Sequence, residues 1–568
     1  METDVPEIRN PQPRISLRPV AVSALDKLTS WDDAFRNRWP FRALVGPDLS
    51  PDTVEGDGSG LLLRPAILGF IAITAIALGV AQSNSPFVLK YLEPYDPVPA
   101  SGAWFFGIPN GPSSDLEIFL GLVAVFGGLV LLARVWITLA RTMAQVPGIP
   151  VKKLAMVLGL WVVPVLIAPP LFSRDIYSYA AQGQMMSHHI SPYVNGPHTL
   201  GIGAPYQTLV DQIWQNMPAP YGPFFLQIDG FLASLSFHNE LGTIVLLRLL
   251  ALAGVVMMGI GVAQLARSYG RDPALAFVLA VLNPVTILHL VGGGHNDALM
   301  IGLLVLGLAQ ARRAHPVVGI VLCSLAAAVK VPAAIGVLYI GWEWMGADRA
   351  IRERTRPVLT ALLISGLVLG ALTMETGLGW GWIGNLATPG TVTSWLAPAT
   401  GVGILLSHIS HFLGLGVPRS TILSLTRVLG MLSAMGASVW LLVRSQRIGA
   451  LKAIGISLLL VTILGPVVQP WYLSWGLITL APVATGRLRS LLLALSVASA
   501  FIGLPGGFEL LHLFLTADPL IMVAALLACL GILTVPLTPI NLERLSVRRA
   551  RRRRRPLGTD LIPQLDAA

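Results

Sequence analysis

Apolar runs long enough to cross a bilayer follow one another along this chain from residue 62 to residue 539. A hydrocarbon core of ~30 Å needs about 20 residues of helix. The alternation of apolar and polar positions that marks a membrane barrel is absent. The pattern predicts spans at 62–82, 116–140, 154–171, 240–266, 273–290, 297–311, 357–374, 421–443, 453–468, 471–485, 488–503 and 518–539. Two further apolar stretches, 224–237 and 394–414, read as helices lying in the membrane interface on one side of the bilayer. The segment 316–347 is apolar but basic on both flanks, with Arg312 and Arg313 before it and Arg349, Arg352, Arg354 and Arg356 after it. A single span would separate those clusters, so two short helices broken at VKVP (329–332) are predicted, with Pro332 supplying the break. The fold class is therefore an all-α polytopic membrane protein of about 14 transmembrane helices, with interfacial helices in its loops.

Composition agrees with that pattern. Of 568 residues, 54% are hydrophobic and 12% charged, with a mean hydropathy of +0.70, against about 25% charged in a soluble domain. The net charge of +10 comes from basic residues gathered between the apolar runs. That is the distribution of cytoplasmic loops beside anionic lipid, so no nucleic-acid partner is implied. Residues 1–60 are polar and proline-containing, read as a partly disordered cytoplasmic arm without a cleavable signal; 61–540 form the transmembrane domain. Residues 541–568 form a basic cytoplasmic tail whose Arg551 to Arg555 suit anionic headgroups. Cys323 and Cys529 lie within apolar segments and belong to packing.

Charge asymmetry also groups the polar motifs. Placing the arginine-rich loops inside puts SRD (173–175), PYGP (220–223), GGGHND (292–297), Lys330, GWGWIGN (379–385) and QPWYLSW (469–475) together on the extracytoplasmic face. One large outer site accounts for the grouping. Asp175 begins SRDIYSYAAQGQMM and reads either as a helix N-cap or as a catalytic carboxylate, since an ionisable group at the lipid interface needs a function or a partner. Asn296 or Asp297 can cap the next span, while His295 beside them can donate to a phosphate or carry a proton. Lys330 at an outer turn either snorkels or meets a phosphate oxygen, and its placement opposite to the usual cytoplasmic side favours the phosphate. Arg248, inside a span, calls for an acidic or polar partner, with a structural ion pair favoured over function. The outer aromatics belong mostly to the interfacial belt, with Tyr177, Tyr221, Trp471 and Trp475 the candidates for stacking on sugar rings. Asp175 and Asp297 lack the tight acidic cluster of a phosphate-bound Mg²⁺ site, so neither a metal nor another cofactor is expected.

Taken together, SRDIYSY, PYGP, GGHNDA and AAVKVP, in this order over about residues 60 to 540, resemble the actinobacterial polyprenol-phosphate-mannose-dependent α-1,6-mannosyltransferases of the GT-C class, those that build the lipomannan core. The resemblance implies a GT-C-like fold and a lipid-linked donor, polyprenyl-phosphate-mannose, used on the outer face of the cytoplasmic membrane. It further implies an α-1,6-mannan acceptor and an outer-loop aspartate as general base, which falls on Asp175. Two spans precede that aspartate here where the family pattern has one, leaving the N-terminal part outside the shared core. A phosphate-linked sugar already carries a stable leaving group, so one carboxylate to deprotonate the acceptor is enough. Cations are then needed around the departing phosphate, with Lys330, His295 and Arg174 as candidates and Asp297, Asn296, Tyr177, Tyr221, Trp471 and Trp475 around the sugars. A β-linked donor and α-linked product imply inversion in one displacement. The competing readings are a transferase for another polyprenyl-phosphate sugar, such as arabinose, and a lipid or sugar transporter.

Overall fold

The computed structural model describes residues 59–81, 115–201, 203–346, 349–393, 396–502, 519–533 and 537. The N-terminal arm before residue 59 and the basic tail lie outside the described residues. Every regular element among the described residues is helical. In chain order, α1 is Ser59–Ala81, α2 is Phe119–Gln145 with a π turn at Val123–Gly127, and α3 is Val151–Ile167. Next come α4 Asp175–Ser187, α5 Pro223–Leu235, α6 Glu240–Ser268, α7 Pro273–Ala280, α8 Asp297–Arg312, α9 Pro316–Ala327, α10 Ile335–Glu343 and α11 Ile351–Thr376. The series ends with α12 Pro398–Phe412, α13 Arg419–Val443, α14 Ala450–Leu464, α15 Pro470–Leu480, α16 Gly486–Ile502 and α17 Pro519–Ile532.

Local chemistry explains many of these boundaries. Proline opens α5, α7, α9, α12 and α15, where its missing N–H costs nothing. Asn239 caps α6 by accepting from Gly242 N at 2.8 Å. Asp272 caps α7 through the amides of Ala274 and Leu275.

Among the described residues five helices are long and apolar enough to cross a membrane; a π-helical turn at Thr286–Gly292 followed by α8, bent by 114°, adds a sixth if the two are taken as one broken span. The larger number read from the sequence includes shorter helices such as α9, α10 and α14, which pack as consecutive pieces. The predicted hairpin at GGGHND is this bend, and the predicted break at VKVP is a single 3-10 turn, Val331–Ala334, between α9 and α10. The stretches read as non-spanning appear as α5 and α12, of 13 and 15 residues.

Core packing runs through α6 and α8, then α8 and α9, while α4 lies on α5 and α14 on α15. A Cβ on Gly254 would meet the Ala298 carbonyl carbon at 2.5 Å, and one on Gly302 would meet the Gly254 carbonyl oxygen at 2.3 Å. Small residues let these two backbones touch, as helix pairs in lipid require when hydrophobicity gives no preference between lipid and protein. Arg248 of α6, fully buried, donates to the carbonyls of Leu166, Ala168 and Gly292. Backbone carbonyls are thus polar partners of the guanidinium, and α3 is tied to the GGGHND bend just ahead of α4.

Candidate active site

α4 begins where the chain leaves α3. Leu171 N donates to Gly292 O at 3.0 Å, so this approach is stitched to the GGGHND bend. Gly294 sits in the left-handed region at φ +67, and a Cβ there would lie 2.2 Å from Ile176 Cδ1. Only glycine gives both the turn and the approach. Asp175 is the first residue of α4 and not its cap, which is Arg174; the Asp175 amide donates to Ser173 Oγ at 3.1 Å. The Asp175 carboxylate is thereby left for other work.

That carboxylate lies 3.6 Å from His295 Nδ1. Its side chain keeps 20% of its surface open, facing a cavity of about 410 Å³. Burial pushes the Asp175 carboxyl up to about 6; the Lys330 charge and a hydrogen bond from Trp214 pull the other way, while Asp211 and Asp297 add to the rise. A carboxylate held there is ionised at neutral pH yet basic enough to accept a proton. Burial chiefly, with Asp175 nearby, drives the hydroxyls of Tyr179 and Tyr221 well above their ordinary range, so neither competes as a base.

The cations differ from one another. Lys330 is held by both oxygens of Asp297 at 3.0 Å and sits 4.4 Å from the centre of the Tyr472 ring. Trp475 Nε1 also donates to Asp297. Arg174 lines the cavity; its carbonyl accepts from Tyr177 N at 3.1 Å, but no hydrogen bond or ion pair joins its guanidinium to another described residue. Burial lowers the pKa of its guanidinium, while Tyr177 and Asp211 oppose the shift. Of the two, Arg174 is the cation free to take an anion.

Other predicted residues divide between the wall and the layer behind it. Tyr221, Trp471 and Trp475 line the cavity with Asp175, Arg174 and Lys330, whereas Tyr177, His295, Asn296 and Asp297 do not. His295 is fully buried, stacked on Trp471 with ring centres 3.9 Å apart. It therefore lies behind Asp175 and away from the open volume, which suits holding the carboxylate better than binding phosphate. Asp297 is likewise fully buried and engaged by Lys330 and Trp475, a position for fixing the lysine and not for touching a sugar. Tyr221 is fixed by close backbone approach: a Cβ on Gly222 would come within 2.2 Å of Ala328 O, and Gly222 N donates to Val329 O at 3.2 Å. The motif GWGWIGN supports this loop from outside. Asn385 donates to Tyr193 O and Ala219 O, and Tyr193 donates to Tyr221 O.

Sequence reasoning missed Asp211 and Trp214, which close the cavity beside Asp175, and Ser178 and Gln182 on α4. The only local signal for the first pair is an aspartate before a tight turn, where Asp211 accepts from Ile213 N at 3.1 Å. Among the described residues no three His, Cys, Asp or Glu side chains converge on a metal-sized space.

The same cavity also carries a large apolar share of wall, including Val392, Leu396, Met431, Val461, Val467 and Val468, so its lining offers both charged groups and hydrocarbon.

Comparison with known proteins agrees with this geometry. The family signature described as "Alpha-(1->6)-mannopyranosyltransferase, N-terminal domain" matches residues 67–346, and that of the "MptB C-terminal domain" matches 399–534. Alpha-(1->6)-mannopyranosyltransferase A of Mycobacterium tuberculosis is 32% identical over 74% of this chain and 81% of its own length. Alpha-(1->6)-mannopyranosyltransferase B of Corynebacterium glutamicum is 31% identical over 72% of this chain and 73% of its own. On these two signatures and the relatives' identity and coverage, the chain belongs to the α-(1→6)-mannopyranosyltransferase family.

Proposed function

We propose that this protein transfers mannose from polyprenyl-phosphate-mannose to an α-1,6-mannan acceptor of the lipomannan type, on the outer face of the cytoplasmic membrane. The observation that carries the reading is the lining of one cavity, which Arg174, Asp175 and Lys330 share with Val392, Leu396, Met431, Val461, Val467 and Val468. A nucleotide sugar has little use for so much apolar wall; a polyprenyl phosphate uses both kinds of lining.

Chemistry follows from the residues. Asp175 takes the proton of the acceptor 6-hydroxyl as that oxygen attacks the anomeric carbon. The carbon–oxygen bond to phosphate breaks on the opposite side, inverting β to α, and the electron pair leaves on the phosphate oxygen. Polyprenyl phosphate departs as a stable anion, so no acid need protonate it. Arg174, with Lys330 nearby, balances the charge that grows there in a water-poor space, a contribution of a few kcal/mol (roughly 3). The outer-face assignment rests on the arginines. α8 starts at Asp297 beside the site and ends at Arg312, about 24 Å away at the ~1.5 Å rise of a helix. Basic loops favour the cytoplasm.

The test supplies purified full-length protein with an α-1,6-mannoside acceptor and one of three donors: polyprenyl-phosphate-mannose, polyprenyl-phosphate-arabinose or GDP-mannose. Transfer from the first alone supports the reading. Transfer from the arabinose donor, or from the nucleotide, replaces it.

A further inference from the structure

Three buried polar atoms belonging to residues of the cavity wall have no hydrogen-bond partner among the described residues: Ser178 Oγ, Gln182 Oε1 and Trp471 Nε1. Ser178 and Gln182 follow Asp175 by three and seven positions on α4, which places all three on one helical face. They are only 4% and 5% exposed. Buried serines in helices commonly return the hydroxyl to the carbonyl four residues back. Ser324 does so to Ile320 at 2.7 Å and Ser499 to Leu495 at 2.7 Å, both buried. Ser178 does not, although it is as well buried.

The helix cannot turn to hide these groups. It is clamped on α5 along the adjoining flank and just beyond Gln182, where a Cβ on Gly183 would meet Asp229 O at 2.4 Å and one on Gly230 would meet Met186 Cβ at 2.9 Å. Buried polar groups are almost always satisfied, so the orphans on the cavity side call for a ligand rich in hydroxyls. Direction adds to this. α4 runs from Asp175 at the cavity to His188 and His189, both exposed, whereas α13 and α14 contribute the apolar Met431 and Val461 to the lining. A hydrophilic chain laid along α4 therefore leads toward the surface.

We infer that the Asp175–Ser178–Gln182 face of α4 is the acceptor track, which rests on the reading of Asp175 as base. Ser178 bonds hydroxyls of the reacting sugar, and Gln182, about two helical turns from Asp175, bonds those of the sugar before it. The acceptor is thus an uncharged oligosaccharide of at least two hexoses. Trp471 Nε1 donates to the reacting ring from the facing wall.

The experiment pairs binding with kinetics on the full-length protein. Saturation-transfer NMR measures α-1,6-mannobioside and a mannose monoglycoside on wild type, Ser178→Ala and Gln182→Leu; steady-state assays then vary donor and acceptor separately. One lost hydrogen bond is worth about tenfold. Ser178→Ala is expected to weaken both acceptors about tenfold, leaving donor KM unchanged. Gln182→Leu is expected to abolish the advantage of the disaccharide over the monoglycoside and nothing else. A deoxy acceptor lacking the hydroxyl bound by Ser178 is a poor substrate for wild type and no worse for Ser178→Ala. That arm needs only the wild type should a variant fail to fold, because a wild type indifferent to disaccharide length and to every deoxy position overturns the track. Unchanged acceptor binding in folded variants overturns it too, as does a raised donor KM in its place. Wild type that binds mannobioside through these residues but transfers no mannose keeps the track and removes the donor assignment.

Discussion

His295 Nδ1 and Asp175 Oδ2 are 3.6 Å apart, brought together from two motifs by the Gly294 turn. The histidine is fully buried and stacked on Trp471, so its ring cannot swing away. A proton on Nδ1 faces the carboxylate and favours its ionised form. Replacing the ring by Phe removes that dipole while keeping the stack. His295→Phe should raise the midpoint of the acid limb of the pH–rate profile by about one unit and lower the rate at pH 7 by roughly tenfold. An unmoved acid limb would show that the ring only packs.

The wild-type profile has its own sign. Asp175 works as a base only when ionised, and its carboxyl is pushed up to about 6. Activity should therefore be full well above that pH and fall as pH drops through it, which initial rates between pH 5 and 8 would register.

Lys330 and Asp297 form a bidentate pair at 3.0 Å, with the aspartate fully buried. Removing one partner leaves a buried charge, at a cost of about 3 kcal/mol or more. Lys330→Met should lower the unfolding midpoint clearly, and Lys330→Met with Asp297→Asn should recover part of that stability. Activity should stay low in both, because the cation beside the phosphate is gone. Recovery of activity in the double variant would make the pair purely structural.

Arg174 is the free cation of the site. Arg174→Gln should reduce kcat by about 10²-fold with a smaller change in KM, since phosphate charge grows mostly in the transition state. Arg174→Lys should restore part of the loss. A variant with kcat intact and acceptor KM raised would place Arg174 on the sugars instead.

The sequence carried the helix positions, the VKVP break and the convergence of SRD, PYGP, GGGHND, Lys330 and QPWYLSW, because hydrophobic length and basic flanks depend on the solvent and not on tertiary detail. It did not tell the wall from its backing. Asp297 and Lys330 are each polar residues at a span end; that they bind each other follows only from packing α8 against the turn after α9. Asp211 and Trp214 come from a stretch without periodicity, placed by Gln215 bonds to Val210 O and Gln207 O. Ser178 and Gln182 read as ordinary polar residues until α4 is seen clamped through Gly183, with those two turned inward.

Asp175 as the base is the claim on which the rest depends. The direct measurement is mannose transfer from polyprenyl-phosphate-mannose to an α-1,6-mannoside by purified wild type and Asp175→Asn, with matched unfolding midpoints as the check on folding. Loss of the base should reduce kcat by about 10²- to 10⁴-fold with donor and acceptor KM little changed, and should erase the acid limb near pH 6. An Asp175→Asn protein that folds normally and keeps both its rate and that limb would contradict the account.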